Sequence, residues 1–153
     1  MKIKTYVSTA VILALLLSRT AAAISILITT NSNLGFGQLI STSSPGTVVV
    51  TPLGIRSTFD GVIEGNSLGV SSSSFSVTGD PDASYSITLP LSATLSGSSS
   101  SMTVDTFVSS PSGSGNLGTL GAQIFAVGAT LHVLAGQLTD DYSGSYNVSV
   151  AYD

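Results

Sequence analysis

Alternation constrains this chain more than any other feature. Apolar side chains recur at every second position in Ile24, Ile26 and Ile28, in Phe75 and Val77, and in Tyr85, Ile87 and Leu89. The pattern returns in Met102 and Val104, in Phe125, Val127, Ala129, Leu131 and Val133, and in Tyr146, Val148, Val150 and Tyr152. Neighbouring residues of a strand point to opposite faces, so this period belongs to strands with one face buried. Val48–Val50 adds a short continuous apolar run. No stretch after residue 23 combines a helical period with helix-forming residues.

Turn-forming residues separate these runs: Ser44-Pro45-Gly46, Thr51-Pro52-Leu53-Gly54, Gly79-Asp80-Pro81-Asp82, Ser96-Gly97-Ser98, Ser110–Gly115 and Asp140–Gly144. Seven or more short strands at this spacing predict an all-β fold, a single antiparallel β-sandwich. The serine runs Ser71–Ser74 and Ser98–Ser101 abut strong strand patterns and read as polar outer faces or loop crowns.

Residues Met1–Ala23 read as an export signal: Lys2 and Lys4 at the start, an apolar run Val11–Leu17, and Ala21-Ala22-Ala23 in the small-x-small pattern of a peptidase site. The apolar run falls short of the roughly 20 residues of a membrane span. The mature protein is therefore expected to begin at Ile24, beyond the inner membrane, with no membrane span. It would carry Arg56 against eight acids, a formal charge of −7. One cation cannot hold a phosphate backbone, which argues against nucleic acid as a partner. The chain has no cysteine, so thiolate metal sites and disulfides are excluded and stability must come from packing and strand pairing.

Catalytic chemistry has little to work with. His132, the only histidine, lies on the opposite strand face from Leu131 and Val133, beside Thr130, and reads as a surface residue. Ser112 and Ser114 sit in a Gly- and Ser-rich loop that opens no helix, so no nucleophile elbow forms. Asp80 with Asp82, and Asp140 with Asp141, offer oxygen ligands for calcium, but turn capping is the commoner use of such residues. Arg56 is expected to pair with Asp60 or Glu64, with a ligand carboxylate as the alternative. Asn147-Val148-Ser149 matches a glycosylation pattern inside an expected strand and reads as chance. No cofactor and no metal are expected, and the chain reads as a non-enzyme.

Two segments carry a resemblance. Leu34-Gly35-Phe36-Gly37 is similar to the L-x-F-G start of the first strand in bacterial spore coat protein U-like proteins and the archaic chaperone-usher pilins, and Asp141–Tyr152 resembles their closing strand. The middle of the chain, with Phe75–Gly79, Tyr85–Pro90 and Phe125–Leu131, looks more like a bacterial family of secreted, cysteine-poor proteins known only as a domain of unknown function. The chain departs from the pilins in lacking their disulfide and in placing Asp153 after the last aromatic.

The pilin resemblance implies an immunoglobulin-like domain over residues 34–153, preceded by an extension over residues 24–33. Ile24, Ile26 and Ile28 would be the donor-strand residues that enter a neighbouring subunit, giving a homopolymer at the cell surface. Tyr146, Val148, Val150 and Tyr152 would face the core of the closing strand, the strand that a periplasmic chaperone contacts before an outer-membrane usher assembles the fibre. The same isoleucines would equally suit an edge strand of their own molecule. A different expectation is a monomeric secreted module that binds a glycan or protein through its Ser-, Thr- and Asn-rich loops.

Overall fold

The computed structural model describes residues 23–153, all of it strands, turns and loops. The expected signal therefore lies outside the described residues, apart from Ala23. The backbone of the fold is a large antiparallel sheet built on one long strand, β11 (Ala122–Val133). Along one side β11 pairs first with β6 (Ser73–Thr78) and then with β3 (Leu39–Val50); along the other it pairs with β9 (Ser101–Ser110). The sheet is extended by β1 (Leu27–Ser32) on β6, by β4 (Arg56–Glu64) on β3 and by β8 (Ser92–Ser96) on β9. A second, smaller sheet sets β7 (Ser84–Thr88) between β10 (Ser114–Asn116) and β12 (Ser149–Tyr152), and β2 (Gly35–Phe36) pairs with β5 (Val70–Ser71). The result is an antiparallel sandwich, as the alternation predicts.

Phe125, Val127, Ala129, Leu131 and Val133 all point inward and are at most 4% exposed. They span two apolar clusters. One gathers Phe75, Val77, Tyr85, Ile87, Leu117, Phe125 and Val127 beneath the small sheet, with Phe75 and Phe125 stacked at 5.2 Å between ring centres. The other gathers Phe36, Val48, Val50, Val62, Met102, Val104, Ala129, Leu131 and Val133. Gly128 lies where β11 changes partner; a Cβ there would fall 2.1 Å from the Val50 carbonyl oxygen, so only glycine permits the approach.

Several expectations are corrected. Ser44-Pro45-Gly46 forms no turn between strands; it is a bulge inside β3, where the register with β4 shifts between Ser41 and Gly46. Proline has no amide to give the ladder and is tolerated at such an irregularity. Ser73 does not face outward. It is 1% exposed, and its hydroxyl donates to the Val127 carbonyl while meeting the Tyr146 hydroxyl. A bulge in β9 near Thr106 moves Phe107 to the inner side after Met102 and Val104, so the alternation changes phase there.

Candidate functional site

The two clusters are covered unequally. The small sheet lies over the first, whereas against the second pack the partly buried Leu34, Leu39, Val70, Leu95, Phe107 and Tyr142. Over this second cluster opens a cleft of about 1300 Å³. One wall is Asn33–Ser41, the other is Asp140–Tyr146, and Phe75, Leu95, Met102, Leu131 and Val133 line the base. Of the base residues all but the partly buried Leu95 are almost fully covered, so much of what the cleft presents is backbone and polar wall.

The two walls are held in different ways. Arg56 fixes the first from beneath: its side chain is 5% exposed, and its guanidinium donates to the carbonyls of Phe36 (3.0 Å), Gln38 (3.2 Å), Asn66 (3.4 Å) and Gly65 (3.1 Å). Glu64 lies 3.5 Å away, so the expected acid partner is present, but the carbonyls make up most of the cage. The second wall is anchored at its ends and free between them. Ser143 exchanges a pair of backbone bonds with Ser96, and Ser149–Tyr152 pairs with Tyr85–Thr88. Between these anchors no backbone hydrogen bond ties Gly144–Val148 to the rest of the described chain.

The expected closing strand keeps its inward face along its whole length. Tyr146, Val148, Val150 and Tyr152 pack on the first cluster, while Ser145, Asn147, Ser149 and Ala151 are exposed. Only Ser149–Tyr152 is paired as a strand. The Tyr146 ring lies 4.8 Å from that of Phe107, and burial raises the Tyr146 phenol above its ordinary pKa, offset in part by the Ser73 bond. A polar cluster secures the start of this wall. Tyr142 meets Ser100, accepts from Gln137 at 2.8 Å and donates to the Leu138 carbonyl at 2.8 Å. Asp140 accepts from Ser98; bonds from the Ser98 hydroxyl and amide, then from the Asp141 amide, hold its carboxyl below the usual range.

The N-terminal segment does not lie in the cleft. β1 pairs with β6 of its own sheet and, among the described residues, has no partner on its other edge, while Ile26 and Ile28 rest on the first cluster, partly buried. Ile24 is 55% exposed and Leu27 60%. Thr30 and Ser32 at the end of β1 reach the cleft's edge. Sequence brought Ile24–Ile28 and Tyr146–Tyr152 to notice, but the cleft between the first strands and the tail has no local signature.

His132 sits on the outer face of β11, its Nε2 2.9 Å from Asp105 Oδ1. That bond, and a second from Thr106, lower the Asp105 pKa. The contacts run hydroxyl to carboxylate to imidazole, so the imidazole touches no hydroxyl it could deprotonate. Among the described residues no three acids or histidines gather as metal ligands; Asp80 and Asp140 instead accept hydrogen bonds from nearby backbone amides.

A family model described as a domain of unknown function (DUF4402) matches residues 26–152. No curated protein matches, and no solved structure does.

Proposed function

This chain belongs to the DUF4402 family, and from that premise we propose that it is a non-catalytic structural subunit of a bacterial surface fibre or coat that polymerises by β-strand addition. In this reading the protein is exported through the inner membrane. Residues Ile24–Thr29 of one copy then enter the cleft of the next, forming a homopolymer. The observation that carries it is the unpaired backbone of Gly144–Val148, of which Gly144–Tyr146 line an open cleft. A partly polar cleft with free main-chain groups suits an extended peptide, which supplies matching hydrogen bonds and sets alternate side chains into the base.

Dimensions agree. At about 3.3 Å per residue, Asp140–Tyr146 extends at most about 20 Å and Ile24–Thr29 about 17 Å. Fully burying three isoleucines is worth about 5 to 9 kcal/mol before ordering costs. At home these side chains are only partly buried, so transfer into a closed cleft gains apolar burial and replaces one set of strand bonds with another. Until a donor arrives, the free edge of Gly144–Val148 is where a periplasmic chaperone would pair, and an outer-membrane usher would exchange it for the next subunit.

The test is the polymeric state of secreted Ile26→Asp beside the parent protein, by size-exclusion chromatography and unheated gels. The parent should give ladders that collapse on heating, and the variant a folded monomer. A parent that runs as one sharp monomer points instead to a monomeric ligand-binding module, and ladders of normal length from the variant refute donation.

A further inference from the structure

Ile24 lies outside every strand ladder, yet both of its backbone polar groups are taken by residues far away in sequence. Its nitrogen donates to Asp80 Oδ1 at 2.9 Å, and its carbonyl accepts from the Tyr152 hydroxyl at 2.7 Å. The Asp80 amide in turn donates to the same tyrosine oxygen at 2.7 Å, which closes a ring through the chain start, the β6–β7 turn and β12. Gly79 makes room for it: a Cβ there would fall 2.1 Å from the Tyr152 oxygen. An exposed amide is satisfied by water and gains little from a carboxylate, whereas a cation at the same point gains more. Asp80 belongs to the ring, and Asp82 and Asp153 are its neighbours in sequence, two residues after Asp80 and one after Tyr152. Arg56, the only Lys or Arg among the described residues, is committed to the cage of loop carbonyls.

We infer that the chain is cut between Ala23 and Ile24, and that the new α-ammonium of Ile24 pairs with Asp80 as a latch that seats the N-terminal strand in its own sheet, the state from which any donation to a neighbour starts. This rests on the export reading of Met1–Ala23. A signal peptidase acting at Ala21-Ala22-Ala23 breaks the Ala23–Ile24 amide and consumes one water. The water oxygen stays on Ala23 as carboxylate, and its two hydrogens end on the Ile24 nitrogen, turning NH into NH3+. The position is specific, because the carboxylate meets the nitrogen of residue 24 and a start one residue earlier would carry its charge past Asp80.

The group facing the ammonium is the Asp80 carboxylate from the β6–β7 turn, with the Tyr152 hydroxyl from β12 bonded to the adjacent Ile24 carbonyl; Asp82 follows in the same turn and Asp153 follows Tyr152 in the chain. The Asp80 carboxylate favours the protonated amine at neutral pH, and the negative charges of Asp82 and Asp153 act in the same direction. A free α-amine titrates near 7.7 to 8.0, and pairing raises it. The latch is therefore fully present below that range and is lost as pH rises through the raised value.

The test uses the mature protein starting at Ile24, the same protein with Asp80→Asn, which keeps a neutral acceptor, and a form starting at Ala23. In NMR titrations the Ile24 amine should ionise at least half a pH unit higher in the parent than in the Asn variant. The parent's Tm should exceed that of the variant by about 2 °C at pH 6.5, with the gap closing by pH 10. The Ala23-start form should behave like the Asn variant. Equal amine titrations in parent and Asn variant overturn the latch. The mass of the exported protein reports separately on the cut: a start other than Ile24 overturns the cleavage, whereas an Ile24 start with no dependence on Asp80 overturns the latch alone.

Discussion

Replacing Arg56 by Met removes the cage beneath the cleft's first wall while keeping most of the stem's packing. Four carbonyl oxygens lose a charged donor. The Gln38 and Asn66 oxygens keep backbone partners in the Gly65 and Gln38 amides, but the Gly65 carbonyl has no other backbone donor. Hydrogen bonds to charged groups contribute about 1.5 to 3 kcal/mol each, and a stranded buried acceptor costs about 1 to 3. With two acceptors compensated, the net loss should be about 3 kcal/mol, a large share of a domain's 5 to 15. Glu64 is 46% exposed, so its ion pair contributes little, and Glu64→Gln should cost under about 0.5 kcal/mol. Urea unfolding of the parent and both variants measures this through the midpoint at constant m-value. A loss below about 1 kcal/mol for Arg56→Met, or an equal loss for Glu64→Gln, would refute the carbonyl cage as the reason for this arginine.

Gly128→Ala should destabilise by about 3 kcal/mol, since the new methyl meets the Val50 carbonyl at the junction of β6 and β3; a thermal melt within 1 °C of the parent would contradict the close approach. Tyr146→Phe should cost about 1 kcal/mol by removing the Ser73 bond while keeping the ring on Phe107. Because the folded Tyr146 pKa is raised, its contribution holds below pH 10 and falls away as pH climbs through the folded value, so parent and Phe variant should converge in unfolding experiments above that point. The Asp105 pKa is lowered, so the His132 contact contributes above the unfolded carboxyl value near 3.9 and is lost on acidification through the folded one. The pair is substantially exposed, and Asp105→Asn should therefore change stability by under about 0.5 kcal/mol at pH 6, checked by chemical denaturation.

Sequence revealed those parts of the fold whose information is local. Phe125–Val133 and Tyr146–Tyr152 declare their inward faces because every second residue is apolar and the strands are otherwise regular. β4 was hidden because its alternation breaks at Asp60-Gly61, opposite the β3 bulge, and β8 because Ser92–Ser96 offers only Ala93 and Leu95. Ser73 looked polar and outward because its burial depends on Val127 and Tyr146, more than 50 residues away. The Arg56 cage could not be read for a related reason: its partners are carbonyls, which every residue has. The cleft is legible only once the tail has been laid beside the first strands.

The central place of β11 sets an order of events. β3, β6 and β9 are all complete in the chain before it, and each has a partner that also precedes it, β4, β1 and β8, but Ala122–Val133 is what joins these pairs into one sheet. A growing polypeptide therefore holds three strand pairs unjoined until its last fifth emerges, and the ladders that join them close late and span long loops. Such a topology closes slowly and exposes sticky edges in the interval. The scarcity of charge leaves little electrostatic repulsion to hold those edges apart in the interval.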